Sequence, residues 1–134
     1  MHPYSNAILC VDDDDEDRAI LRKALLSTSM EHPILEAFDG VQALDILNDL
    51  KQEKQLPCLI VLDMNMPRLN GKQILAAIKK DSELATIPVV LFTTSSSEVN
   101  KTFAHVKGIE LIQKPMNHTD LQLAATKMLQ RCLA

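Results

Sequence analysis

Six acidic residues, Asp12 to Asp17, follow directly on the apolar stretch "AILCV". Two carboxylates ~4 Å apart repel by ~4 kcal/mol at an effective dielectric of 20, so a folded run of this kind needs an offset. The first two fall at a strand end, where a hard cation with oxygen ligands such as Mg²⁺ supplies it. The later ones suit a helix start: Asp14 or Asp15 as the cap, Glu16 and Asp17 near the positive end. An EF-hand does not fit, because counting from Asp12 puts Asp17 where Gly is needed and Lys23 where Glu is needed. A third carboxylate, Asp63, ends the buried run in "VLDMNMPRLNG". Three carboxylates together can hold Mg²⁺ and leave one oxygen as a nucleophile, as in aspartyl-phosphate chemistry. Thr93, in "PVVLFTTSSS", offers a hydroxyl to a phosphoryl oxygen, and Lys114, in "LIQKPMN", offers the positive charge such a group requires.

These residues need a scaffold that brings them together. Five short apolar runs read as buried strands: 7–11, 33–38, 58–62, 88–92 and 109–113. Helical spacing fills the gaps. Residues 15–28 present Ala19, Ile20, Ala24 and Leu25, and residues 40–53 present Val41, Leu44, Leu47 and Leu50. Residues 71–80 present Ile74, Leu75 and Ile78, residues 97–106 present Val99, Phe103 and Val106, and residues 118–132 present Leu121, Ala124, Ala125, Met128 and Leu129. Pro57 and Pro88 precede strands, Pro67 and Gly71 bracket a loop, and Pro115 follows the last strand. This (βα)5 alternation predicts an α/β fold, a doubly wound five-stranded parallel sheet covered on both faces. Ligands in such sheets bind beyond the carboxyl ends of the strands, where Asp12, Asp13, Asp63, Thr93 and Lys114 all fall.

The bulk numbers narrow the class. The chain of 134 residues reads as one domain, 1–134. A net charge of −4 argues against a nucleic-acid surface. No apolar run reaches the ~20 residues of a membrane span, and the acidic N-terminal stretch lacks a signal-peptide pattern, so a cytoplasmic protein is expected. Cys10, Cys58 and Cys132 have no metal-type spacing, and Cys10 and Cys58 read as buried small hydrophobes. His2, His32, His105 and His118 are scattered and do not suggest a metal site.

The pieces "ILCVDDD", "LIVLDMNMPRLNG", "IPVVLFTTS" and "QKPM", in this order, resemble the receiver domain of two-component response regulators of the stand-alone, chemotaxis-regulator-like kind. The resemblance covers nearly the whole chain and implies a flavodoxin-like strand order 2-1-3-4-5. It implies Asp63 as phosphoacceptor, Asp13 as a direct Mg²⁺ ligand with Asp12 beside it, and the main-chain carbonyl of Asn65 as a further ligand. Thr93 matches the switch hydroxyl and Lys114 the lysine that pairs with the phosphoryl group. The implied partners are a sensor histidine kinase or a histidine phosphotransfer protein, with output through protein–protein interaction or onward phosphotransfer. No output domain and no enzymatic turnover are expected.

Two departures stand out. Leu111 replaces the Tyr or Phe usual three residues before the lysine, which puts an aromatic switch in doubt and suggests a phosphorylation-dependent homodimer through that face. Thr94 stands where a small residue is common and narrows access to the site. A haloacid-dehalogenase-type phosphatase would need a second Asp where Asn65 stands. A phosphate-binding P-loop is excluded by Gln73 after Gly71-Lys72 and by Met66.

Overall fold

The computed structural model describes residues 5–66, 69–94 and 97–132. His2, Pro67, Ser95 and Ser96 lie outside them. Five strands alternate with five helices: β1 (Ile8–Val11), α1 (Asp15–Thr28), β2 (Ile34–Ala37), α2 (Gly40–Gln52), β3 (Leu59–Leu62), α3 (Gly71–Lys80), β4 (Val89–Thr93), α4 (Glu98–Lys107), β5 (Glu110–Gln113) and α5 (His118–Arg131). A single 3₁₀ turn, Leu84–Thr86, which has no apolar period to betray it, precedes β4.

All the strand pairs are parallel and run in the order β2-β1-β3-β4-β5, as expected. β1, β3 and β4 are buried at every position because helices cover both faces. On one face Leu9, Val11, Ile60, Leu62 and Leu91 meet α2, α3 and α4 through Ala43, Leu47, Ile74, Leu75, Ile78 and Ala104. On the other, Ile8, Leu59, Val61, Val90 and Phe92 meet α1 and α5 through Leu21, Ala24, Leu25, Ala125 and Met128. Each such fully buried leucine or isoleucine contributes about 1.5–3 kcal/mol.

Three helical stripes sit differently from the pattern expected. On α1 the buried residues are Leu21, Ala24 and Leu25, while Ile20 is 51% exposed. Counting back by four from Leu21 gives Asp17, so the inward stripe begins at an acid that is drawn to Lys114. On α2, Ala43 and Leu47 are buried and Val41 is exposed. On α4, Asn100 and Ala104 face inward and Phe103 is half-buried, whereas Val99 and Val106 are exposed. A small residue at 104 lets α4 approach the sheet closely, and larger side chains are turned outward. Gly108 then ends α4 in the left-handed conformation (φ 67°), donating to the carbonyls of Ala104 and His105.

The cysteine reading also changes. Cys10 and Cys58 are buried as expected, but Cys58 is disulfide-bonded to Cys132. The two are 74 residues apart in sequence, and no spacing rule links them.

Candidate functional site

The winding direction reverses between β1 and β3, and the acids follow at that point. The Asp63 N–H donates to the Val11 carbonyl (3.0 Å) and the Asp12 N–H to the Ala37 carbonyl (3.1 Å). Each strand thus delivers an aspartate one step beyond its last paired residue. Asp12 and Asp63 are buried, while Asp13 is exposed at the rim. Carboxylate oxygens of Asp12, Asp13 and Asp63 lie within 4.8 Å of one another.

The chain then turns into α1. Asp14 is the N-cap, its carboxylate accepting from the Asp17 N–H at 3.0 Å. Asp12 Oδ1 accepts from the Asp14 N–H at 2.9 Å, which fixes the turn. Asp15 pairs with Arg18 on the exposed side instead.

Lys114 enters from β5. Its N–H donates to the Thr93 carbonyl at 2.8 Å, extending the β4–β5 pairing by one residue. Its Nζ lies 2.6 Å from Asp12 Oδ2, 2.8 Å from Asp17 Oδ2 and 3.5 Å from Asp63 Oδ2. Burial opposes its charge, but hydrogen bonds to Asp12 and Asp17 hold the ammonium well above the usual lysine range. Asp63 moves the other way. Burial, with the charge of Asp12 added, pushes its carboxyl up to about 6 against the opposing pull of the Asn65 N–H and Lys114. Among the described residues, the Lys114 ammonium pairs with Asp12, Asp17 and Asp63, with Asp13 beside them, and one positive charge does not balance four carboxylates. A cluster of oxygen donors left with surplus negative charge fits a hard divalent cation.

The β3–α3 loop closes the third side. Gly71 is packed so tightly that a Cβ there would lie 2.6 Å from the Asp63 carbonyl oxygen and 2.7 Å from Met64 Cα. Asn70 caps α3 in a reciprocal capping box with Gln73. Asn65 donates its N–H to Asp63 Oδ1 and its Nδ2 to Thr93 Oγ1, both at 3.2 Å. Thr93 is fully buried at the end of β4.

All six residues singled out in the sequence thus meet at one end of the sheet: Asp12, Asp13, Asp63, Asn65, Thr93 and Lys114. Asp17 was read only as a helix-start acid and is missing from that set. Its place at the head of the buried stripe of α1 is the signal that could have found it. Leu111 pairs with Leu91 in register and is half-buried against the cluster holding Ala104.

The model of the response regulator receiver domain matches residues 8–126. The chain belongs to this family. Receiver domains are phosphoacceptor signalling modules rather than enzymes in the ordinary sense. Response regulator Rcp1 of Synechocystis sp. is 34% identical over 93 residues, 68% of this chain and 63% of Rcp1. Transcriptional regulatory protein CpxR of Escherichia coli is 33% identical over 131 residues, 94% of this chain and 50% of CpxR. This receiver therefore spans less than two thirds of either relative. The phosphorylated cyanobacterial phytochrome response regulator RcpA superposes with a TM-score of 0.84 at 28% identity, covering 96% of this chain and 94% of that one. The Mn²⁺-bound form of Rcp1 superposes at 0.79 and 28% identity, covering 92% and 91%. No helix among the described residues is long and apolar enough to cross a membrane.

Proposed function

We propose that Asp63 accepts a phosphoryl group from the phosphohistidine of a sensor histidine kinase or a histidine phosphotransfer protein. The observation that carries this is the convergence of Asp12, Asp13 and Asp63 within 4.8 Å, with Lys114 Nζ 3.5 Å from Asp63 Oδ2. An Asp63 carboxylate oxygen attacks phosphorus in line, the O–P bond forms, and the N–P bond to the donor histidine breaks. Asp12, Asp13, Asp63 and the main-chain carbonyl of Asn65 are the residues that would hold Mg²⁺. A bound Mg²⁺ neutralises charge on the phosphoryl oxygens. Lys114 turns from Asp12 to the new phosphoryl group, and Thr93 donates its hydroxyl to another of its oxygens. Hydrolysis by water then slowly resets the protein.

Thr93 is the link to output. Its hydroxyl accepts from Asn65 Nδ2 at rest, so drawing it to the phosphoryl group breaks that bond and moves the end of β4 and the loop after it. Leu111 has no ring to flip, so the readout is altered packing of α4 and β5. This face then binds an output partner, passes the signal by onward phosphotransfer, or pairs two copies of the chain.

Incubation with Mg²⁺ and acetyl phosphate, followed by intact mass, tests the reading. Wild type gains a single phosphoryl group and Asp63→Asn gains none. An equal adduct in the variant would exclude Asp63. Sedimentation of the phosphorylated protein tests the pairing of copies, which a monomer in both states would exclude.

A further inference from the structure

At the opposite end of the sheet, three side chains from distant parts of the chain meet. Cys58 stands just before β3, Cys132 caps the C-terminus of α5, and His32 lies in the loop between α1 and β2. Donor atoms of the three lie within 4.8 Å of one another. The family match ends at residue 126, so Cys132 lies beyond what the family pattern describes. The cysteine Cα atoms are 4.8 Å apart, inside the range a disulfide spans without backbone movement. His32 Nδ1 lies 2.7 Å from the Asn6 carbonyl oxygen and 3.7 Å from Cys132 Sγ. A nitrogen that close to a carbonyl donates its proton there, which fixes the ring with Cys132 Sγ beside it.

We propose that Cys58 and Cys132 form a redox-convertible pair that exchanges with low-molecular-weight disulfides, with His32 positioning and stabilising the Cys132 thiolate. Three features support this over a passive staple. The His32 ring nitrogen lies 3.7 Å from Cys132 Sγ, and this closeness of the imidazole favours Cys132 as attacking and leaving group. Cys132 sits at the final turn of α5, held by its N–H to the Leu129 carbonyl, and a helix end opens more readily than a strand. The remaining cysteine does not compete. Cys10 is buried inside β1, 2% exposed, out of reach of a soluble disulfide.

The exchange balances with oxidised glutathione as the co-reactant. The Cys132 thiolate attacks one glutathione sulfur, and the first glutathione leaves and is protonated. The Cys58 thiolate then attacks the Cys132 sulfur and displaces the second glutathione. Two protein thiols lose two electrons and two protons, and one glutathione disulfide becomes two glutathione thiols. Closing the pair ties the end of α5 to the start of β3, the strand that leads to Asp63.

The test uses full-length Cys10→Ser protein equilibrated in graded reduced and oxidised glutathione. Acid quenching, alkylation after denaturation and intact mass count the thiols. The expected result is a single step between two alkylated thiols and none, without retained glutathione. Two thiols persisting in excess oxidised glutathione would overturn the proposal, as would glutathione held separately on each cysteine. A disulfide persisting in excess reduced glutathione would also overturn it, since the bond would then be a fixed staple. Stoichiometric Zn²⁺ retained by the reduced protein and lost in Cys132→Ser would overturn it in favour of a metal site. The role of His32 is read from the pH profile of native alkylation of reduced Cys132. His32→Gln should slow it at least ~5-fold at pH 7, with the gap closing towards pH 9. Superimposable profiles would remove His32 from the assignment.

Discussion

Lys114 Nζ is 2.6 Å from Asp12 Oδ2 but 3.5 Å from Asp63 Oδ2, so at rest the ammonium belongs to Asp12 and its reach to Asp63 is the longer one. It also pairs with Asp17 at 2.8 Å. Lys114→Ala removes the ammonium that pairs with Asp12, Asp17 and Asp63. We expect a loss of about 2 kcal/mol in EDTA, less than the ~3–5 kcal/mol of a fully buried pair because the site opens to solvent. Urea unfolding with and without Mg²⁺ measures it, and Mg²⁺ should restore part of the loss. An unchanged midpoint in EDTA would mean that the acids need no such offset.

Asp63 gives the pH dependence a sign. Its folded value of about 6 lies above the unfolded 3.8. The folded state therefore holds the extra proton between about pH 4 and 6, and stability falls as pH rises through that window. Asp63→Asn removes the penalty. In EDTA its Tm should match wild type near pH 4 and exceed it by pH 7. An advantage that is constant across this range would not come from titration of Asp63.

Asp13 and Asp14 are adjacent but differently placed, Asp13 at the exposed rim of the acid cluster and Asp14 as the cap of α1. Asp13→Ala should weaken Mg²⁺ binding at least tenfold, ~1.4 kcal/mol. Asp14→Ala should leave affinity nearly intact and lower stability by ~1 kcal/mol through loss of the cap. Asp15→Ala should change neither much, since Asp15 is an exposed partner of Arg18. Titration calorimetry and thermal unfolding separate the cases. Equal loss of affinity at 13 and 14 would contradict the division.

What was legible in the sequence follows from periodicity and from strand ends. Strand runs are short and rich in Val, Ile and Leu, so all five strands and all five helices were placed to within a residue or so. Residues one step past a strand cannot avoid the carboxyl edge of the sheet, which is why Asp12, Asp63 and Lys114 could be brought together unseen. Helix rotation was less legible. Val99 and Val106 are apolar and exposed, while Asn100 is polar and buried, so hydrophobicity misreads that stripe. Asp17 was hidden for a related reason, because in a run of six acids composition alone does not show which one turns inward. The Cys58–Cys132 contact depends on the docking of α5 and has no local signature.

Gly71 should be among the least replaceable residues. A Cβ at this position meets backbone, the Asp63 carbonyl and Met64 Cα, rather than a side chain that could swing away. Gly71→Ala must therefore shift either α3 or the Asp63 loop. We expect a loss of about 1–3 kcal/mol together with a fall in phosphorylation rate. Gly108→Ala is the comparison. It too is strained, by its positive φ, but open space surrounds it, so it should lower stability without slowing phosphorylation. Equal phosphorylation rates in the two variants would show that Gly71 is only a packing residue.

Asn65 separates main-chain from side-chain chemistry in the proposed metal site. Its side chain is turned to Thr93 Oγ1, 3.2 Å away, so it is engaged in holding the hydroxyl rather than offered to a cation. If the metal ligand is the main-chain carbonyl, Asn65→Ala should leave Mg²⁺ affinity within about threefold, less than ~0.7 kcal/mol. The lost hydrogen bond should show elsewhere. Removing one neutral bond of this kind is worth roughly 1 kcal/mol, and in the proposed scheme it is a bond that the resting state makes and the phosphorylated state gives up. The variant should then favour the phosphorylated arrangement of Thr93 and lower the barrier to reaching it. Phosphorylation by acetyl phosphate should therefore be as fast as in wild type or faster. A tenfold loss of Mg²⁺ affinity in Asn65→Ala would place the side chain on the metal and take away its role as the resting partner of Thr93.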